Sequence, residues 1–165
     1  MNRPKIKVPL QQLDIALEFT TLSLLVLTCA FVIFNYPNLT ETIPTHFNAS
    51  GVADNFSHKS SIFIILGISI GIYILLLTAN KFPHLHNYMV NITEENALKN
   101  YRISTRILRG VNLFSIAIMS YVTYIMITSS KRNVFEIEKW ILPAILGFSI
   151  IFSIVCFIYI RKMNT

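Results

Sequence analysis

Between Tyr36 and Ser60 the chain reads YPNLTETIPTHFNASGVADNFSHKS, and His46, Asp54 and His58 fall within it. Imidazole and carboxylate are donor types that suit a divalent cation such as zinc. The three lie on an irregular stretch, where their spacing neither imposes nor forbids convergence on one ion. Ser50, His46 and Asp54 are also the residue types of a nucleophilic triad, but no strand-turn-helix elbow surrounds the serine. The simpler reading is structural. His46 and Asn48 would hydrogen-bond loop backbone, Asp54 would cap a turn, and Lys59 would sit at the level of lipid headgroups. No catalytic residue and no cofactor is expected.

A second set of residues could handle phosphate. Lys99, Arg102, Arg106 and Arg109 recur at helical spacing, and guanidinium groups clamp phosphate bidentately. Leu98, Tyr101, Thr105 and Leu108 follow the same rhythm one position earlier, so the stretch reads as an interfacial amphipathic helix. Its basic stripe is expected to meet anionic headgroups. His84 and His86 follow the second apolar run beside Pro83, where a helix-end cap or contact with lipid phosphate fits better than a metal site.

The elements that must position these residues are membrane spans. Of 165 residues, 53% are hydrophobic and 13% charged, about half the usual charged fraction of a soluble domain. So few charges cannot cover a water-exposed fold, and disorder and disulfide scaffolds are excluded as well. Cys29 and Cys156 both lie inside apolar runs and read as packing residues. Four uncharged runs, 19–36, 61–79, 110–128 and 140–160, are long enough to cross about 30 Å of hydrocarbon as helices. The first is read as a span rather than a cleaved leader, because Asp14 and Glu18 interrupt its approach and no small-residue cleavage site follows.

The expected fold is therefore all-α. A single membrane domain over 1–165 holds four transmembrane helices in two helical hairpins, with an ordered outer loop and a cytoplasmic amphipathic helix. Ten of the 14 Lys and Arg residues fall at the termini and in the second loop, and four in the first and third loops. The positive-inside rule then puts both termini in the cytoplasm. The basic balance is a topology signal, and no nucleic-acid partner is expected. Trp140 with Lys139 would anchor the fourth span at the interface. Gly67 and Gly71 let another helix approach closely, either inside this bundle or across a homo-oligomer. Uncharged spans leave a proton relay or ion-coupled pump nothing to carry its charge.

In the first loop, Pro37 and Pro44 force extended backbone on their predecessors, and Asn48-Ala49-Ser50-Gly51 reads as a tight turn. The order Tyr36, Pro37, Leu39, then Ile43, Pro44, His46, Phe47, Asn48, Gly51, Asp54 and Lys59 resembles the signature of the DUF1648 family of small bacterial membrane proteins. The motif region covers about 19–66. Asn87-Tyr88, Ile92 to Asn96 and Tyr101-Arg102 resemble a segment that often follows in that family. The family includes immunity proteins for a secreted killing factor, which also act as membrane sensors and carry further spans. The resemblance thus implies a multi-pass protein of the bacterial cytoplasmic membrane that is non-enzymatic. It would protect or sense through its extracytoplasmic loop by binding a peptide or protein partner. The alternatives from the residues themselves are a lipid- or small-molecule-binding bundle and, less favoured, a metalloenzyme using His46, Asp54 and His58.

Overall fold

Long apolar runs become helices, since a helix satisfies its backbone donors and acceptors within itself. The computed structural model describes residues 3–132 and 140–164. In order, these form helix α1 (Gln12–Asn35), strands β1 (Thr42–Phe47) and β2 (Ala53–His58), and helices α2 (Ile62–Ala79), α3 (Glu94–Arg132) and α4 (Ile141–Asn164). Short 3-10 turns occupy Tyr36–Asn38, Lys59–Ser61 and Pro83–Leu85. All four helices are long and apolar enough to cross a membrane, so the chain is a multi-pass membrane protein. Lys139, expected to anchor the fourth span, lies outside the described residues, whereas Trp140 precedes α4 and is exposed.

Two boundaries differ from the sequence reading. Helix α1 begins at Gln12, seven residues before the uncharged run, and so takes in Asp14 and Glu18. A reciprocal capping box starts it: the Asp14 carboxylate accepts from the Gln11 backbone N–H at 2.9 Å. Helix α3 is one unbroken element, with the amphipathic stretch and the third span fused. At 1.5 Å per residue it runs about 58 Å, roughly twice the hydrocarbon thickness.

Helix α3 is the spine of the bundle, packing along both α1 and α2. Thr28 and Ser120 hydrogen-bond across α1 and α3 at 2.6 Å, and the Asn112 amide donates to the Tyr73 carbonyl of α2 at 3.3 Å. Helix α4 touches α3 mainly through rings: Phe114 lies 4.9 Å from Phe148 and 6.2 Å from Phe152, centroid to centroid. Gly110 of α3 faces the Phe152 ring, and a Cβ there would stand 3.5 Å from it, in ordinary van der Waals contact. Gly67 and Gly71 behave otherwise. No described residue comes within 4 Å of a Cβ built at either, so the expectation that they seat a helix of this bundle does not hold among the described residues.

The first loop is a further difference. Instead of an irregular stretch it forms an antiparallel β-hairpin. The period-2 signal is hidden because Pro44 lacks an N–H and the register shifts twice around His46. Ile43 and Pro44 of β1 are fully buried. Ile43 joins Val32, Leu39, Ile62, Leu66, Met126 and Ile127 in one cluster, which clamps the β-hairpin onto the ends of α1, α2 and α3.

Candidate functional site

The β-hairpin is built for rigidity at its turn. Gly51 adopts φ 81°, a left-handed conformation that a Cβ disfavours. The Asn48 side-chain oxygen accepts from the Ser50 and Val52 N–H groups at 2.9 and 3.1 Å, an Asx turn stabilising the reversal. Ser50 is therefore a turn residue, its backbone N–H held by the Asn48 side chain.

This turn brings His46 and Asp54 together across the two strands, with His46 Nδ1 donating to Asp54 Oδ1 at 2.5 Å. A carboxylate only accepts, so the proton sits on Nδ1. The ring is thereby oriented, and Nε2 has no partner among the described residues. Asp54, expected to cap a turn, serves instead as this orienting carboxylate. Both side chains are well exposed, at 66% and 44%. A carboxylate-oriented imidazole can accept a hydrogen bond, take up a proton or contribute one ligand to a cation. His58 does not join them. It lies at the foot of β2, its Nε2 3.2 Å from Glu41 Oε2 and its Nδ1 2.9 Å from Ser60 Oγ. Among the described residues no three His, Cys, Asp or Glu side chains gather closely enough to hold a metal ion.

At the same foot, Lys59 Nζ donates to Glu41 Oε1 at 2.9 Å and lies 5.6 Å from the centre of the Tyr36 ring. The lysine hydrogen bond and charge, with a smaller share from His58, hold the Glu41 carboxyl below its ordinary range. Tyr36 in turn packs on Phe63, ring centroids 4.8 Å apart, while Pro37 starts the 3-10 turn leading into the β-hairpin. The residues of the sequence motif thus brace the β-hairpin from both ends.

Beneath β1 lies an apolar cavity of about 220 Å³. Thr45, His46 and Phe47 roof it, Val122 and Met126 of α3 form one wall, and Ile141 and Ile145 of α4 close the other side. A second apolar void of about 310 Å³ shares Tyr121, Ile141 and Ile145 and continues between α3 and α4 past Ala117 and Trp140. His46 is therefore both the exposed member of a polar dyad and part of the cavity rim.

The basic stripe lies at the opposite end of the bundle, and it divides. Arg106 Nε donates to Asp14 Oδ1 at 3.0 Å and its Nη2 to Gln11 Oε1 at 2.6 Å. Arg109 Nε donates to Glu18 Oε1 at 2.7 Å, with Nη1 3.9 Å from Asp14. These two arginines bind α3 to α1 instead of facing outward as a free stripe. Lys99 is exposed, and the partly buried Arg102 leaves its Nε without a hydrogen bond. Asp14 and Glu18 escaped the sequence reading because they looked like interruptions of an apolar run; their i, i+4 spacing opposite Arg106 and Arg109 was the available signal.

Close by, His86 Nε2 donates to the Ala79 carbonyl at 3.0 Å, capping the end of α2, and Nδ1 meets Ser104 Oγ at 2.9 Å. His84 lies with its ring edge toward Phe82. Arg3 donates to the His84 and His86 carbonyls and stacks over Tyr88, and the buried Tyr101 hydroxyl donates to the Pro4 carbonyl at 2.9 Å. Loss of hydration raises the Tyr88 phenol above its ordinary range.

Residues 23–70 match the family model DUF1648, a domain of unknown function. The match covers the larger part of α1, the whole β-hairpin and the first half of α2, which is where the motif residues lie. No curated protein and no solved structure matches the chain.

Proposed function

We propose that this is a non-catalytic membrane protein that recognises an apolar or amphipathic peptide at its β-hairpin end, in a protective or sensing role. The observation that carries the reading is the cavity under β1, apolar on its walls and edged by the oriented His46–Asp54 pair. An apolar side chain would fill the cavity while a polar peptide group meets the imidazole, the combination that fixes orientation in most binding pockets. The loop-by-loop distribution of Lys and Arg supports a non-cytoplasmic β-hairpin, facing a ligand that arrives from outside, with both termini in the cytoplasm. The resemblance of the motif to proteins that include killing-factor immunity proteins supports the protective role.

The test is a panel of cavity and rim variants in the native host membrane. Ile145→Trp fills the cavity from the α4 side and His46→Ala removes the rim imidazole, while neither residue belongs to the cluster around Ile43. Both variants should be present at wild-type levels yet lose the response to peptide challenge. Normal response in both would sink the reading. A second reading has one observation of its own: the void between α3 and α4 extends the cavity sideways between membrane-spanning helices. A lipid chain could enter by that route, and Ala144→Phe would then remove a co-purifying lipid without touching the β-hairpin.

A further inference from the structure

At the end of the bundle remote from the β-hairpin, a cavity of about 390 Å³ opens between α1, α2 and α3. The buried Arg109, Asn80 and Thr105 and the half-buried Glu18 form its wall, and Lys7 and Lys81 stand at its mouth. We propose that this cavity binds a phosphodiester whose headgroup also carries a hydroxyl, as in an anionic glycerophospholipid.

The charge count favours an anion. Asp14 and Glu18 are already matched by Arg106 and Arg109, while Lys7 and Lys81 form no ion pair with any described residue. The local excess is therefore the two lysines, at the positive end of a membrane bundle where anionic headgroups gather.

The second observation is Arg109 itself. It is only 8% exposed, and among the described residues only its Nε makes a hydrogen bond, to Glu18. Its Nη1 lies 3.9 Å from Asp14 Oδ1, beyond hydrogen-bond reach, and phosphate oxygens match the geometry of such a guanidinium fork. Asn80 is 9% exposed and its Oδ1 has no hydrogen-bond partner. Together with the Glu18 carboxylate it puts acceptors on the same wall. A phosphodiester group by itself has no donor for them, whereas a headgroup hydroxyl does.

The site is independent of the β-hairpin reading and would survive its failure. The full chain, extracted in detergent, is titrated with phosphatidylglycerol and separately with phosphatidylcholine, and bound lipid is read by native mass spectrometry. Phosphatidylglycerol should be retained and phosphatidylcholine, which has no hydroxyl donor, should not. Lys7→Gln with Lys81→Gln should weaken retention roughly tenfold at unchanged melting temperature, because neither lysine holds the fold together. Arg109→Lys, which keeps the charge facing Glu18 but removes the fork, should weaken it as well. Glycerol 3-phosphate added in excess separates the sources: displacement of the lipid assigns the site to a soluble phosphate ester, and no displacement assigns it to a lipid. Equal retention of both lipids, or wild-type retention in the double-lysine variant, overturns the proposal.

Discussion

Asp14→Asn removes one carboxylate and tests how α1 is fixed to α3. Asp14 is 2% exposed and accepts from the Gln11 N–H, from Arg106 Nε at 3.0 Å and, at 3.4 Å, from Arg106 Nη2. Arg109 Nη1 is a further 3.9 Å neighbour. Removing one partner of a buried ion pair costs about 3–5 kcal/mol when the other charge is stranded. Here that range must be reduced. Arg106 keeps Gln11 Oε1 and is 27% exposed, Arg109 keeps Glu18, and the Asn oxygen still caps the helix. About 2 kcal/mol remains, the scale of one charge-assisted hydrogen bond. The assay is unfolding in mixed detergent micelles, run as a double-mutant cycle with Arg106→Gln. The two changes should be strongly non-additive, with a coupling of about 1–2 kcal/mol. Additive costs, or a loss under about 0.5 kcal/mol for Asp14→Asn, would show that water screens the pair and would refute the burial argument.

Gly51→Ala forces a side chain into φ 81° and should lower β-hairpin stability by about 1 kcal/mol, whereas Gly51→Asn should cost less; protease cleavage between Asn48 and Ala53 reads both. Because Glu41 sits below its usual value of 4.5 in the folded protein, its pair with Lys59 contributes fully above that pH and is lost as pH falls through the lower folded value. Cleavage at the foot of the β-hairpin should therefore rise as pH drops below 4.5, less steeply in Glu41→Gln and in high salt. A reporter fused after Lys59 should be active only outside the cytoplasm, and a cytoplasmic signal there would reverse the proposed orientation.

Much of the frame was legible in the chain itself. Apolar length alone determines the four spans, because backbone polar groups in hydrocarbon have no partner outside their own helix. The Asn48 to Gly51 turn was legible too, since a short polar side chain followed by glycine favours that reversal whatever surrounds it. So was the amphipathic run from Leu98 to Arg109, whose period belongs to the helix alone. Other features depend on partners far away in sequence. The strand pairing of Thr42–Phe47 with Ala53–His58 was hidden by a proline and two register shifts, and it is held in place by Ile43 packing on helices α1, α2 and α3. Asp14 and Glu18 read as punctuation until α3 placed Arg106 and Arg109 opposite them, about ninety residues away. Gly67 and Gly71 carry a packing pattern that the described residues leave unused, while Gly110, which has no such pattern, meets Phe152. The cavities have no local signature, because a void is a property of the surfaces around it. Spans and turns are set by short-range chemistry written in neighbouring residues; charge pairing, strand register and empty space arise only when distant segments are brought together.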